Sequence, residues 1–213
     1  ENLLPTGPLR RVGTTVYTFE TIESTNEFLR TYAGELPDGA LAVAEYQTAG
    51  RGRQGRRWVA PRGAAVMLSV LLHERAGSRL LAGAALLGAV AACRAVEQTS
   101  DCRPAVRWPN DVTIGGRKLG GVLAEVSMLA GGPHGSPRAV VLGIGLNCLQ
   151  QRGHFDGELV GRATSLEIES ALQVERAAVG AALLRALDEL LARAAGSARD
   201  WAGVVSEWRE RCD

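Results

Sequence analysis

Nine consecutive residues, Gly50-Arg51-Gly52-Arg53-Gln54-Gly55-Arg56-Arg57-Trp58, constrain this chain more than any other stretch. They hold four arginines and three glycines, with no apolar side chain before Trp58. Glycine weakens helix and strand alike, and no hydrophobic period runs through the stretch, so it reads as a loop. Leu41 to Tyr46 reads as a strand leading through Gln47 into it, and Ala64 to Leu72 as a buried strand returning from it. The unit is a flap anchored at both ends. Its guanidinium groups match carboxylate or phosphate oxygens two at a time, which points to a small anion. A solvated basic loop or a nucleic-acid patch is the other reading of the same composition.

Gly50, Gly52 and Gly55 also fit G-x-G-x-x-G, but that fingerprint needs a helix directly after it. Here Val59-Ala60-Pro61-Arg62-Gly63 follows, and Pro61 and Gly63 would break such a helix. The dinucleotide reading is rejected. Over 213 residues the formal net charge is +1, so no global basic field favours non-specific nucleic-acid binding. A composition of 46% hydrophobic and 22% charged residues fits one globular domain. Cys93, Cys102, Cys148 and Cys212 have no C-x-x-C spacing, so reduced thiols are expected rather than a zinc site or disulfides. Glu1-Asn2-Leu3-Leu4-Pro5 does not read as a signal peptide, and the expected compartment is the cytoplasm. The apolar segment Leu80 to Ala95 is short for a membrane span and reads as a packed helix.

Among 24 basic residues Lys118 is the only lysine. With arginine used wherever either cation serves, a surviving lysine marks a place that needs a compact, mobile ammonium; the alternative is a surface turn beside Gly115-Gly116. In chain order, Glu1 to Gly13 reads as a poorly structured extension and 14–213 as one domain. A strand is expected over Thr15 to Thr21. A helix then starts at Ser24-Thr25-Asn26-Glu27, with Ser24 capping and Glu27 reciprocating, and runs to about Ala33. That helix start also offers polar side chains and free N–H groups to a ligand. A helix from Ser78 to Val96 precedes an extended segment from Ala105 to Val112, and Lys118 to Ser127 reads as a strand. Gly131 to Pro137 reads as a turn, Arg138 to Leu146 as a strand and Gln150 to Arg162 as an exposed loop. Helices over Val174 to Ala194 and Ala198 to Arg211 close the chain. The fold class is α/β or α+β: a mixed β-sheet packed with helices.

Five segments occur in one order: Ser24-Thr25-Asn26, Glu45 to Trp58, Arg107-Trp108-Pro109-Asn110-Asp111, Arg117 to Leu123, and Gly143-Ile144-Gly145-Leu146-Asn147. Together they resemble the catalytic domain of the biotin protein ligases of the BirA type, over about Thr21 to Asn147. The resemblance implies the class II aminoacyl-tRNA synthetase-like fold. It implies two half-reactions: biotin and ATP with Mg2+ give biotinyl-adenylate and pyrophosphate, then a lysine of a carboxylase's biotin carboxyl carrier domain takes the biotin. It assigns catalysis to Lys118, Arg51 and Arg53, and biotin binding to Ser24, Thr25, Asn26, Gln47, Gly50, Arg51, Trp58, Lys118, Gly121 and Leu123. It places Arg53, Arg56, Trp58, Asn110, Lys118 and Asn147 toward the nucleotide, and Asp111 near phosphate-bound magnesium, with general-base and structural roles for Asp111 left open. Biotin and ATP are substrates, and no tightly bound organic cofactor is implied.

Arg107 stands where a lysine commonly opens the family's Trp-Pro-Asn-Asp motif, and no tryptophan for stacking on adenine occurs around Ala163. No helix-turn-helix segment precedes the catalytic part, so neither DNA nor membrane is an expected partner. The small C-terminal β-barrel of most members is not found before Asp213. Nothing in the residues selects an oligomeric state. The arginine loop and the 150–162 loop are expected to be mobile without ligand and to close over a water-sensitive acyl-adenylate. A lipoate or octanoate ligase of the same fold and a non-catalytic small-acid-binding module remain as other readings. The Gly-Arg-Gly-Arg flap favours the biotin branch.

Overall fold

The computed structural model describes residues 3–75, 77–128 and 138–213. Among these residues, seven strands form one mixed sheet in the order β1-β2-β3-β7-β6-β5-β4. These are β1 (Val16–Phe19), β2 (Leu41–Ala44), β3 (Ala65–Glu74), β4 (Ala105–Arg107), β5 (Asp111–Ile114), β6 (Arg117–Met128) and β7 (Arg138–Asn147). β1 runs parallel to β2 and every other pair is antiparallel. The mixed-sheet expectation is borne out, and the turn expected over 131–137 lies outside the described residues. The expected extended segment over 105–112 is two strands, β4 and β5, reversing through Trp108-Pro109-Asn110.

Helix α1 (Thr25–Thr31) covers one face of the sheet, α2 (Arg79–Thr99) and α4 (Arg176–Ala195) cover the other, and α5 (Ala198–Glu210) packs on α2 and α4. A single helical turn, α3 (Leu166–Glu169), was not foreseen: four residues carry too little period to read. Strand periodicity sorts β3 between the faces. Val66, Leu68, Val70 and Leu72 join the core under α2 and α4, whereas Met67, Ser69 and Leu71 point the other way. By length and composition α2 could cross a membrane, but here its apolar residues pack against the sheet and α4. The four cysteines are free, and burial pushes the Cys93 and Cys148 thiols up to about 12.

The helix start departs from expectation in one respect. Ser24 caps α1 by accepting the Glu27 N–H, but Glu27 does not reciprocate; its carboxylate goes to Arg30 and Arg51.

Among the described residues of the N-terminal extension, 3–13, there is no helix or strand, yet the segment is held firmly. Leu3 and Val12 are buried, and the N–H groups of Arg10, Arg11 and Val12 all donate to the Asp188 carboxylate of α4, at 2.8, 2.8 and 3.0 Å. Burial alone would raise the Asp188 carboxyl, but the three amides outweigh it and hold it below its ordinary value. A depressed folded value contributes stability above the unfolded value of 3.8 and loses it as pH falls through the folded one. Asp188→Asn is therefore expected to cost about 2–3 kcal/mol near neutral pH and to expose residues 3–13 to protease. Urea midpoints followed into acid should converge for the two proteins; a gap that persisted undiminished at low pH would contradict this.

Candidate active site beneath the arginine loop

The face of the sheet beside α1 is bare near its centre because β7 places Gly143 and Gly145 there. A Cβ on Gly145 would lie 2.7 Å from the Trp58 indole, and one on Gly143 would lie 2.1 Å from Asn26 Oδ1. Glycine at these two positions lets both side chains lie flat on the strand. Above this floor is a cleft of about 610 Å3, roofed by the arginine loop and flanked by Trp108 to Asp111 and by Phe155 to Ala163.

Lys118 reaches the cleft through a β-bulge. Along β6, Gly121, Leu123 and Glu125 share the cleft side of the sheet, and strict alternation would put Leu119 with them and Lys118 on the helix side. Thr113 of β5 pairs with Lys118 but Val112 pairs with Gly120, so Leu119 is an extra residue. Leu119 drops into the core and Lys118 is turned into the cleft. Its Nζ lies 2.6 Å from Asp111 Oδ1, and a Cβ on Gly121 would sit 3.4 Å away from that nitrogen. One of its three N–H donors meets Asp111, which leaves two for a ligand.

The loop itself is a tight turn. Gly52 N–H donates to Arg56 O, Trp58 N–H donates to Gly50 O, and Gln54 (φ 57°) and Gly55 (φ 74°) take the left-handed conformation at its tip. Arg51 is held by Glu27 at 2.7 Å and Glu125 at 3.0 Å, and Arg53 donates to Asn110 Oδ1 at 3.0 Å. Chiefly the Arg30 hydrogen bond, with Arg51 adding to it, holds the Glu27 carboxyl below its ordinary value. At the loop's feet, Arg176 at the start of α4 is 3% exposed; it donates to Glu45 Oε1 at 2.8 Å and to Ala65 O at 3.4 Å. One buried guanidinium thus ties the end of β2 to the start of β3.

The second loop is fastened beside Lys118: Lys118 N–H donates to Arg162 O, and Thr164 N–H to Lys118 O, both at 2.8 Å. Asn147 donates to Thr164 O and accepts from Gln150 Nε2, so its amide is oriented by this loop. Asn110 is similarly occupied, accepting from Arg53 and donating to Val122 O. Asn26 accepts from Ser69 and donates to Glu125. By contrast, among the described residues Gln47 Nε2 has only a long contact to Met67 Sδ at 3.5 Å, which leaves amide donor capacity at the polar end of the cleft. Trp58 lines a wall, and its buried Nε1–H has no acceptor among the described residues.

Of the residues singled out from sequence, Ser24, Thr25, Asn26, Gln47, Arg51, Arg53, Arg56, Trp58, Asn110, Asp111, Lys118, Gly121, Leu123 and Asn147 all line this one cleft. Gly50 does not; it is buried under the loop, where a Cβ would meet Trp58 O at 2.4 Å. Ser69, Glu27, Glu125 and Arg176 were missed. Ser69 is the lone polar residue of the apolar run Ala64 to Leu72, and Glu125 the lone charged residue between Leu119 and Met128, and both signals lie in the sequence. Among the described residues, no group of three or more His, Cys, Asp or Glu side chains could hold a metal.

Comparison with known proteins agrees with this fold. Residues 18–147 match the biotin/lipoate A/B protein ligase family. The bifunctional ligase/repressor BirA of Escherichia coli is 32% identical over 175 residues, covering 82% of this chain and 53% of the relative. The biotin–[acetyl-CoA-carboxylase] ligase of Mycobacterium tuberculosis is 37% identical over 174 residues, covering 78% and 59%. The chain therefore spans a little over half the length of each. The biotin protein ligase of Aquifex aeolicus, solved with biotin and ATP, superposes with a TM-score of 0.66 at 26% identity, covering 83% of this chain and 69% of that one.

Proposed function

Because the chain belongs to the biotin/lipoate A/B protein ligase family, we propose that it activates biotin with ATP and passes it to a lysine of a carboxylase's biotin carboxyl carrier domain. The observation that carries the reading is the meeting of Lys118, Arg51 and Arg53 over one cleft whose far end is polar. Two anions must approach each other for a carboxylate oxygen to attack the α-phosphorus. The carboxylate–phosphorus bond forms as the bond to pyrophosphate breaks. Positioned cations offset the mutual repulsion and stabilise charge on the phosphoryl oxygens. The lysine amine of the carrier then attacks the acyl carbon, AMP leaves, and an amide remains.

In this reading Lys118 spans the carboxylate and the α-phosphate, with Arg51 and Arg53 clamping from above. Ser24, Thr25 and Gln47 receive the ureido head, while Trp58, Gly121 and Leu123 contact the apolar part. Arg56 faces the nucleotide, and Asn110 and Asn147 shape its side of the cleft while bonded to protein groups. Magnesium would arrive with the triphosphate, as expected where phosphates supply most ligands, and Asp111 is the carboxylate nearest Lys118. Four free cysteines are in keeping with a cytoplasmic location.

Exchange of labelled pyrophosphate into ATP tests the reading. Exchange should depend on biotin and stay at background with lipoate or octanoate. Exchange driven by lipoate or octanoate would move the assignment to the other ligases of this fold, and none with any acid would leave a binding module.

A further inference from the structure

A continuous chain of hydrogen bonds runs from the polar end of the cleft to the root of the arginine loop. Thr25 N–H donates to Gln47 Oε1 at 2.8 Å, and Thr25 Oγ1 and Ser69 Oγ lie 2.7 Å apart. Ser69 donates to Asn26 Oδ1 at 2.6 Å, Asn26 Nδ2 donates to Glu125 Oε2 at 2.9 Å, and the other oxygen of Glu125 meets Arg51 at 3.0 Å. With the single Ser69 proton on Asn26, the Thr25 hydroxyl donates across the 2.7 Å contact to Ser69 in preference to Gln47 Oε1 at 3.2 Å, and the links from Thr25 onward point toward the carboxylate. Thr25, Asn26 and Ser69 are all buried at 4% exposure or less, so each link fixes the next in an environment that strengthens it.

The arginine at the end of the chain needs such support. Arg51 sits between two glycines on a loop, its side chain is 43% exposed, and its other partner, Glu27, is itself 35% exposed. Glu125 is 21% exposed and aimed by Asn26, which makes it the fixed anchor of the pair. A guanidinium has five N–H donors; the bonds to Glu27 and Glu125 use two and leave three for a ligand anion. Arg51 can therefore be held and still bind.

We propose that Glu125, aimed by Ser69 through Asn26, is a positioning residue that fixes the Arg51 guanidinium over the cleft at the root of the arginine loop. The role in turnover rests on the function proposed above; the holding of Arg51 does not. Two readouts keep them apart. Without ligand, initial rates of tryptic cleavage are resolved by mass spectrometry. Glu125→Gln should raise cleavage after Arg51 by about fivefold or more, with Ser69→Ala in the same direction, and cleavage after Arg53, beside the tip, should hardly change. With biotin and ATP, Glu125→Gln should lower pyrophosphate exchange kcat about 10–100-fold and change the biotin Kd less than about threefold. In an Arg51→Ala background the same substitution should have little further effect, because it acts through Arg51.

Unchanged cleavage after Arg51 in both variants overturns the proposal, and so does an undiminished effect of Glu125→Gln on kcat when Arg51 is absent. Increased cleavage in an enzyme whose wild type shows no biotin-dependent exchange would keep Glu125 as the anchor of Arg51 and remove the function reading. Melting curves of both variants separate a lost anchor from a lost fold, and Ser69→Ala carries the test if Glu125→Gln does not fold.

Discussion

Replacing Lys118 with alanine is expected to lower biotin-dependent adenylate formation by about 10²–10³-fold, the usual result of deleting one preorganised charge donor at a reacting centre. The fold should survive. The ion pair to Asp111 is partly exposed, with side-chain exposures of 33% and 23%, so its loss costs under about 1 kcal/mol. Lys118→Arg should not restore the rate. The larger planar group must enter a space bounded by Gly121 and Asp111, and it cannot bring a point charge between two oxygens as an ammonium does. Exchange rates beside melting temperatures check both statements. An alanine variant with normal exchange would remove Lys118 from the chemistry.

The second large effect concerns stability. Arg176→Met keeps side-chain volume but leaves Glu45 without its guanidinium, and Ala65 O loses a donor. Removing one partner of a buried pair typically costs about 3–5 kcal/mol. Glu45 keeps 23% of its side-chain surface, which places this case nearer about 2–4 kcal/mol. For a chain of this size that is a fall in Tm of roughly 5–12 °C. Both feet of the arginine loop should loosen together, because the same residue holds them. Adding Glu45→Gln should recover part of the loss, since it removes the stranded charge. A Tm within about 2 °C of wild type would show that the flap does not depend on this tie.

Much of this architecture was legible because it rests on local signals. The arginine loop needs no distant information: its composition excludes helix and strand, and its flanks alternate or run apolar. Ser24 was readable as a cap. Lys118 stood out by rarity, and the order of five short motifs placed most of the cleft residues in one family. What escaped depends on pairings across the chain. Asp188 holds the N-terminal segment across a separation of up to 178 residues, and Arg176 reaches Glu45 across 131. The Leu119 bulge is invisible to a period count that assumes regular alternation, yet it decides which side Lys118 faces. Glu27 could be read as the reciprocal half of a capping box; only the arrival of Arg51 and Arg30 explains why it does something else.

The central claim is that Lys118, Arg51 and Arg53 bring a carboxylic acid and a nucleoside triphosphate into reaction within one cleft. A single-turnover experiment tests it most directly: enzyme in excess over biotin, MgATP added, the reaction quenched, and biotinyl-adenylate counted by mass. The account predicts that nearly all the biotin is recovered as biotinyl-adenylate with wild type and almost none with Lys118→Ala. Biotin recovered unchanged from the wild type, or adenylate formed equally well without Lys118, would contradict it.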